Sequence, residues 1–141
     1  MPKKICFSLL FLLLPFFLAG QAAFVEESQI LNDFTAVMNT YHQAITAAVD
    51  GEEVARANNT LAEGLRREIP RFNAMMAAHP EWQETPPAEI QESLQNYIMA
   101  SQLCFGQALP RAVQFGNEHM EDQALQDSLA AINLALQEMS P

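Results

Sequence analysis

Apolar residues recur along this chain at steps of three and four, and no stretch keeps the two-residue alternation of a strand. Ile30, Phe34, Val37, Met38, Tyr41, Ile45 and Ala48 share one face of a first helix, which Asp50-Gly51 ends, the glycine supplying a left-handed cap. A second stripe, Val54, Leu61, Leu65, Ile69, Phe72 and Met76, follows Glu52 and Glu53, acids suited to the positive end of a helix dipole. Pro70 lies within it; a proline there removes a backbone donor and clashes with the preceding turn, so a kink or a restart is predicted. His79-Pro80 closes this segment. The stretch from Pro80 to Pro87 reads as the one proper loop, with Thr85 capping a third helix that begins at Pro86. That helix carries Ile90, Leu94, Tyr97, Ile98, Ser101, Phe105 and Ala108 on one side, bends at Pro110 and stops at Gly116-Asn117. A fourth opens with Glu118, Glu121 and Asp122 and carries Leu125, Leu129, Ile132, Leu136 and Met139. The pattern predicts an all-α fold, a small up-down-up-down four-helix bundle with proline kinks in helices 2 and 3. Leu65-x3-Ile69-Pro70-Arg71 matches Phe105-x3-Leu109-Pro110-Arg111, but the flanks differ, so the shared apolar period explains the likeness better than a repeat.

Ahead of the bundle the pattern changes. Lys3 and Lys4 precede a largely apolar run from Ile5 to Leu18, interrupted by Pro15, and small residues follow at Ala19, Gly20, Ala22 and Ala23. This is the order of a secretory signal, and the run of 14 residues is shorter than the roughly 20 a membrane span needs. The chain therefore divides into a cleavable signal at 1–22 and a single domain at 23–141, periplasmic or secreted, with no stable membrane anchor after cleavage. Removing Lys3 and Lys4 from the seven basic residues leaves five arginines against 17 acids, a net charge of −12. That charge repels phosphate backbones, which excludes nucleic acid as a partner, and it leaves cationic proteins or metal ions electrostatically permitted. Of the two cysteines, Cys6 leaves with the signal, so Cys104 has no partner within the chain and stability must come from packing. The lone cysteine favours the periplasm, because small secreted eukaryotic domains are commonly rich in disulfides.

Two features depart from simple amphipathicity. Met99 and Leu103, continued by Gly106 and Pro110, lie opposite the apolar side of the third helix, and two apolar faces need two coverings. Either the helix is central and buried on both sides, or the back face meets a protein partner or a second copy. Trp82, the sole tryptophan, either folds over the bundle end or stands as an anchor beside that face. The contact surface read from sequence is thus Trp82, Met99, Leu103 and Pro110. The second feature is Met38-x3-His42 and Met75-x3-His79, an i, i+4 spacing that puts thioether and imidazole on one helix face, donors suited to copper. His119-Met120 adds a third pair. Both main pairs also fit a core methionine with an amphipathic ring at the stripe's edge.

An exported bundle of this length resembles in architecture the b-type cytochromes built as four-helix bundles, a likeness that implies haem held by a methionine of the first helix and a histidine of the last. Here His119 opens the last helix and no histidine lies near its end, so that ligand has no counterpart; no Cys-x-x-Cys-His occurs either. For catalysis, no serine lies in a Gly-x-Ser-x-Gly elbow and no His-Glu-x-x-His is present. The paired acids stand at helix starts, and glutamines rather than cations flank Cys104. The sequence thus predicts a binding module rather than an enzyme, with a copper or haem carrier as the rival.

Overall fold

A computed structural model describes residues 24–139, and the predicted signal at 1–22 lies outside them. All regular structure among these residues is helical. Helix α1 spans Val25–Ala47 and α2 spans Gly51–Ala78. Two 3-10 turns, Pro80–Gln83 and Ala88–Ile90, lead into α3 at Gln91–Leu103. A π turn at Cys104–Ala108 joins α3 to α4 at Leu109–Glu118, so the predicted third helix is one rod with a π turn inside it. Helix α5, Gln123–Gln137, is the predicted fourth. These four helical units pack together as a bundle. α2 lies against α1 and α5, and α1 also lies against α3 and the π turn.

The caps differ from the sequence reading. Gly51 does not end α1 in a left-handed conformation; it is the first residue of α2, and Asp50 is the cap, its carboxylate accepting the Glu53 N–H at 2.9 Å. Asp50 accepts from a backbone N–H that would otherwise be orphaned, and α1 is capped at Ala48 in an extended conformation instead. Asp122 does the same for α5, accepting the Leu125 N–H at 3.1 Å. Thr85 makes no cap, because the 3-10 turn at Ala88–Ile90 intervenes before α3. Pro70 does not restart α2, which continues unbroken to Ala78.

The stripes of α1, α2 and α5 face inward as their period requires. Phe34, Met38, Tyr41, Ile45, Leu61, Leu65, Ile69, Leu125 and Ile132 are all buried in one core cluster. The third helix departs from its predicted stripe. Its buried line is Ala100, Cys104, Ala108, Ala112 and Gly116, while Ile98 is 46% exposed. The reason lies in the π turn. A strict four-residue step overshoots a full α-helical turn by about 40°, so four steps would carry the line about 160° off the core. At the π turn Leu109 N–H donates to Cys104 O, five residues back. The extra residue removes about 100° of that drift and keeps the small side chains inward. It also falls just before Pro110, whose ring nitrogen has no hydrogen to give the regular ladder.

A second, smaller cluster closes one end. Ile30, Leu31, Met75, Trp82 and Ile90 are buried together, with Phe24 against the indole at a ring separation of 5.7 Å.

Candidate functional site

The α1–α2 seam is held by specific polar chemistry. Tyr41 Oη donates to Asn58 Oδ1 at 2.9 Å, Asn58 Nδ2 donates to Ser128 Oγ at 3.0 Å, and Ser128 Oγ donates to the Leu125 carbonyl at 2.7 Å. This buried chain crosses α1, α2 and α5, each of its three side chains donating to the next partner. Further along, Glu68 is 1% exposed. It accepts from Arg67 Nε and from Arg71 Nη1, each at 2.6 Å, and Arg71 reaches Asp33 on α1 at 2.8 Å. The Arg71 hydrogen bond, aided by one from Gln29, holds the Asp33 carboxyl below its ordinary range. Between these two networks the helices nearly touch at Gly64, where an added Cβ would stand 2.5 Å from Val37 Cγ1. Outside the seam runs an open groove of about 760 Å3, walled by alanines such as Ala36, Ala44 and Ala57 and ended by Arg67 and Arg71.

None of that was named from sequence, yet a signal existed. Asn58 and Glu68 stand at i+4 and i+3 steps in the stripe Val54, Leu61, Leu65 and Phe72, where a polar residue must find a partner inside.

The residues that were named divide three ways. Met99 is 60% exposed, Pro110 is exposed and Leu103 half-buried, so no other part of the described chain covers the back of the third helix. Val113, 43% exposed, lies on the α4 part of the rod. A Cβ on Gly106 would meet open space. Trp82, in contrast, is 8% exposed and does not belong to that surface. Its indole is drawn under the bundle end by Phe24 and by the His79 ring, which lies parallel to it at 3.9 Å and 7°.

The four proposed copper donors do not converge. Met38 is buried in the main core and Met75 in the end cluster. The His79–Glu27 and Arg71–Asp33 pairs set the register of α2 on α1, with the higher number on one helix matching the lower on the other. Met38 is eleven residues along α1 from the level of His79, about 16 Å at 1.5 Å per residue. His119 packs on Phe115 at 4.6 Å. Among the described residues no three histidine, cysteine, aspartate or glutamate side chains gather as a metal site.

Cys104 is a buried free thiol, and burial pushes its pKa up to about 12. An activated nucleophile needs the opposite shift. Burial raises Tyr41 well above its usual range as well, as desolvation disfavours the phenolate.

Comparison with family models, with curated proteins and with solved structures finds no match to this chain.

Proposed function

We propose that this chain is an exported, acidic helical binding module without catalytic activity, and that it meets a protein partner through the outward face of its third helix. The observation that carries the reading is the exposure of Met99, at 60%, on a helix whose opposite side is already sealed to α1 by small residues. Apolar side chains left outward on a rod with a satisfied inner face have no folding role of their own. The high net negative charge weakens self-association and favours a partner whose apolar patch is ringed by basic residues. The reading of a periplasmic or secreted location rests on the signal-like first 22 residues. None of the described helices is long and apolar enough to cross a membrane.

The course of the bundle belongs to the same proposal. The reversed register of α1 and α2, and the like-directed pairs Phe34–Tyr97 and Thr46–Arg111, support an up-down-up-down path. On this path the rod lies beside α1 and bends at Pro110, next to the π turn, while α2 bends at Pro70. Such a bend turns the exposed face outward along its length.

A photo-crosslinking amino acid placed at Met99, and separately at exposed Gln43 on α1, tests the surface in the cells that export the protein. Adducts of one defined larger mass at position 99 and none at 43 support the reading. Equal labelling at both positions, or none at either, contradicts it, and an adduct of twice the chain mass would make the partner a second copy.

A further inference from the structure

Helix α2 carries its charges on a line whose signs mirror each other. Between positions 52 and 67 the charged residues are Glu52, Glu53, Arg56, Glu63, Arg66 and Arg67, all exposed except Glu53, which is half-buried. Folded over at the midpoint between Asn59 and Thr60, every acid falls on an arginine: Glu52 on Arg67, Glu53 on Arg66, and Glu63 on Arg56. Asn59 and Thr60, both exposed, fall on each other. The positions share one face of the helix, because 52, 59 and 66 recur at steps of seven, as do 53, 60 and 67, and 56 and 63.

Chemistry within one chain leaves this arrangement unexplained. The helix dipole favours Glu52 and Glu53 in the first turn, but Arg66 and Arg67 stand about three turns before the end of α2 at Ala78, too far to complement its negative end. Arg56 bonds Glu52 at 2.9 Å, with side chains 66% and 84% exposed, and so wet a pair holds neither charge firmly. Arg67 is 64% exposed. A two-fold axis, by contrast, demands the mirrored order, since it brings residue i of one copy against j of the other and j against i. Two α2 helices laid antiparallel, with the axis beside Asn59 and Thr60, set each of the six charges against its opposite. The line sums to zero, three arginines against three acids, so the repulsion that opposes self-association elsewhere on this acidic chain is absent along it. Beside it runs the open groove of about 760 Å3 walled by Ala36, Ala44 and Ala57, small residues that leave a second helix room to settle.

We propose that two copies of this chain pair through α2, antiparallel about a two-fold axis at Asn59 and Thr60, with the contact running about 22 Å at 1.5 Å per residue. Facing charges fix the register: a slip of one helical turn sets Arg56 off Glu63 and the end pairs off each other. The surface lies on α2 and not on the third helix, so either proposal survives the loss of the other, and the dimer leaves Met99 to a different partner.

Sedimentation velocity of the mature full chain, over a wide range of concentration at low salt, tests the pairing. The parent should pass from monomer to dimer as concentration rises. Arg56→Glu and Glu63→Arg each oppose like charges twice across the axis, so each should raise the dimerisation midpoint at least about tenfold. An equimolar mixture of the two variants restores both pairs in a mixed dimer and should associate as the parent does. So should the double variant Arg56→Glu with Glu63→Arg, whose net charge equals the parent's. Circular dichroism checks each fold, and Arg66→Glu with Glu53→Arg is the substitute pair if either single variant unfolds. A parent that stays monomeric up to millimolar concentration overturns the proposal. So does association that the single variants leave unchanged, or a loss that neither the mixture nor the double variant repairs.

Discussion

The two seams that α1 makes are built on different principles. Against α2 it is fixed by named partners: a buried hydrogen-bond chain from Tyr41 to Ser128, the Arg71 bridge from Asp33 to buried Glu68, and the close approach at Gly64. Against the third helix it meets the small residues Ala100, Cys104 and Ala108 and one aromatic pair, Phe34 edge-on to Tyr97 at 5.4 Å, and the polar link is an exposed contact of 3.5 Å from Arg111 to the Thr46 carbonyl. Buried polar partners have one satisfactory register and are costly to leave unpaired. Small apolar side chains seal a gap but tolerate sliding, since they hold little area each and no directional bond. Directional bonds therefore fix the first seam, while the second has fewer of them and leaves Met99 outward.

The largest expected effect breaks the first seam. Asn58→Ala leaves the Tyr41 hydroxyl buried without its acceptor and takes one donor from Ser128, which keeps its bond to the Leu125 carbonyl. At about 1–3 kcal/mol for an orphaned group, urea unfolding should show a loss of up to about 3 kcal/mol. A loss under about 1 kcal/mol would mean that water replaces the amide and that the chain does not specify the seam.

Alkaline pH probes both seams at once. The Cys104 pKa is raised from 9.0 to about 12 by burial, so the folded state holds its proton where the unfolded chain has released it. Stability from this group is complete below pH 9 and lost as pH rises toward 12, with a slope of about 1.4 kcal/mol per pH unit. Tyr41, shifted the same way, adds to the loss once an unfolded tyrosine ionises, above about pH 10. Urea midpoints measured at intervals from pH 8 upward check the direction, and a flat profile would contradict it. The smallest effect sharpens the contrast: Met99→Gln should change stability by no more than about 0.5 kcal/mol, because the side chain is 60% exposed.

Much of this contrast is legible in the sequence, and unevenly. The stripes Phe34-Met38-Tyr41-Ile45 and Leu125-Ile132 face the core because α1 and α5 keep a constant 3.6-residue turn. The same period does not carry through the third helix, because the π turn at Cys104–Ala108 changes the angular step from there on and no single residue type announces one; Ile98, ahead of that turn, is exposed at the edge of the stripe. Polar Asn58 and Glu68 on an apolar stripe were readable signs of buried partners, but which helix supplies those partners depends on the packing of α1, α2 and α5. The distance between the Met38–His42 and Met75–His79 pairs has a related reason: spacing along one helix places two donors, whereas a contact such as Glu27–His79 joins residues 52 apart on two helices.

The most direct measurement is the rate at which a thiol reagent labels Cys104 in the mature protein under native conditions, set against the rate of global unfolding. Cys104 is fully buried at the centre of the third-helix seam. If that seam opens on its own, labelling proceeds much faster than unfolding and responds only weakly to added urea. Labelling that tracks global unfolding at every urea concentration would show both seams opening together, and the distinction drawn between them would fail.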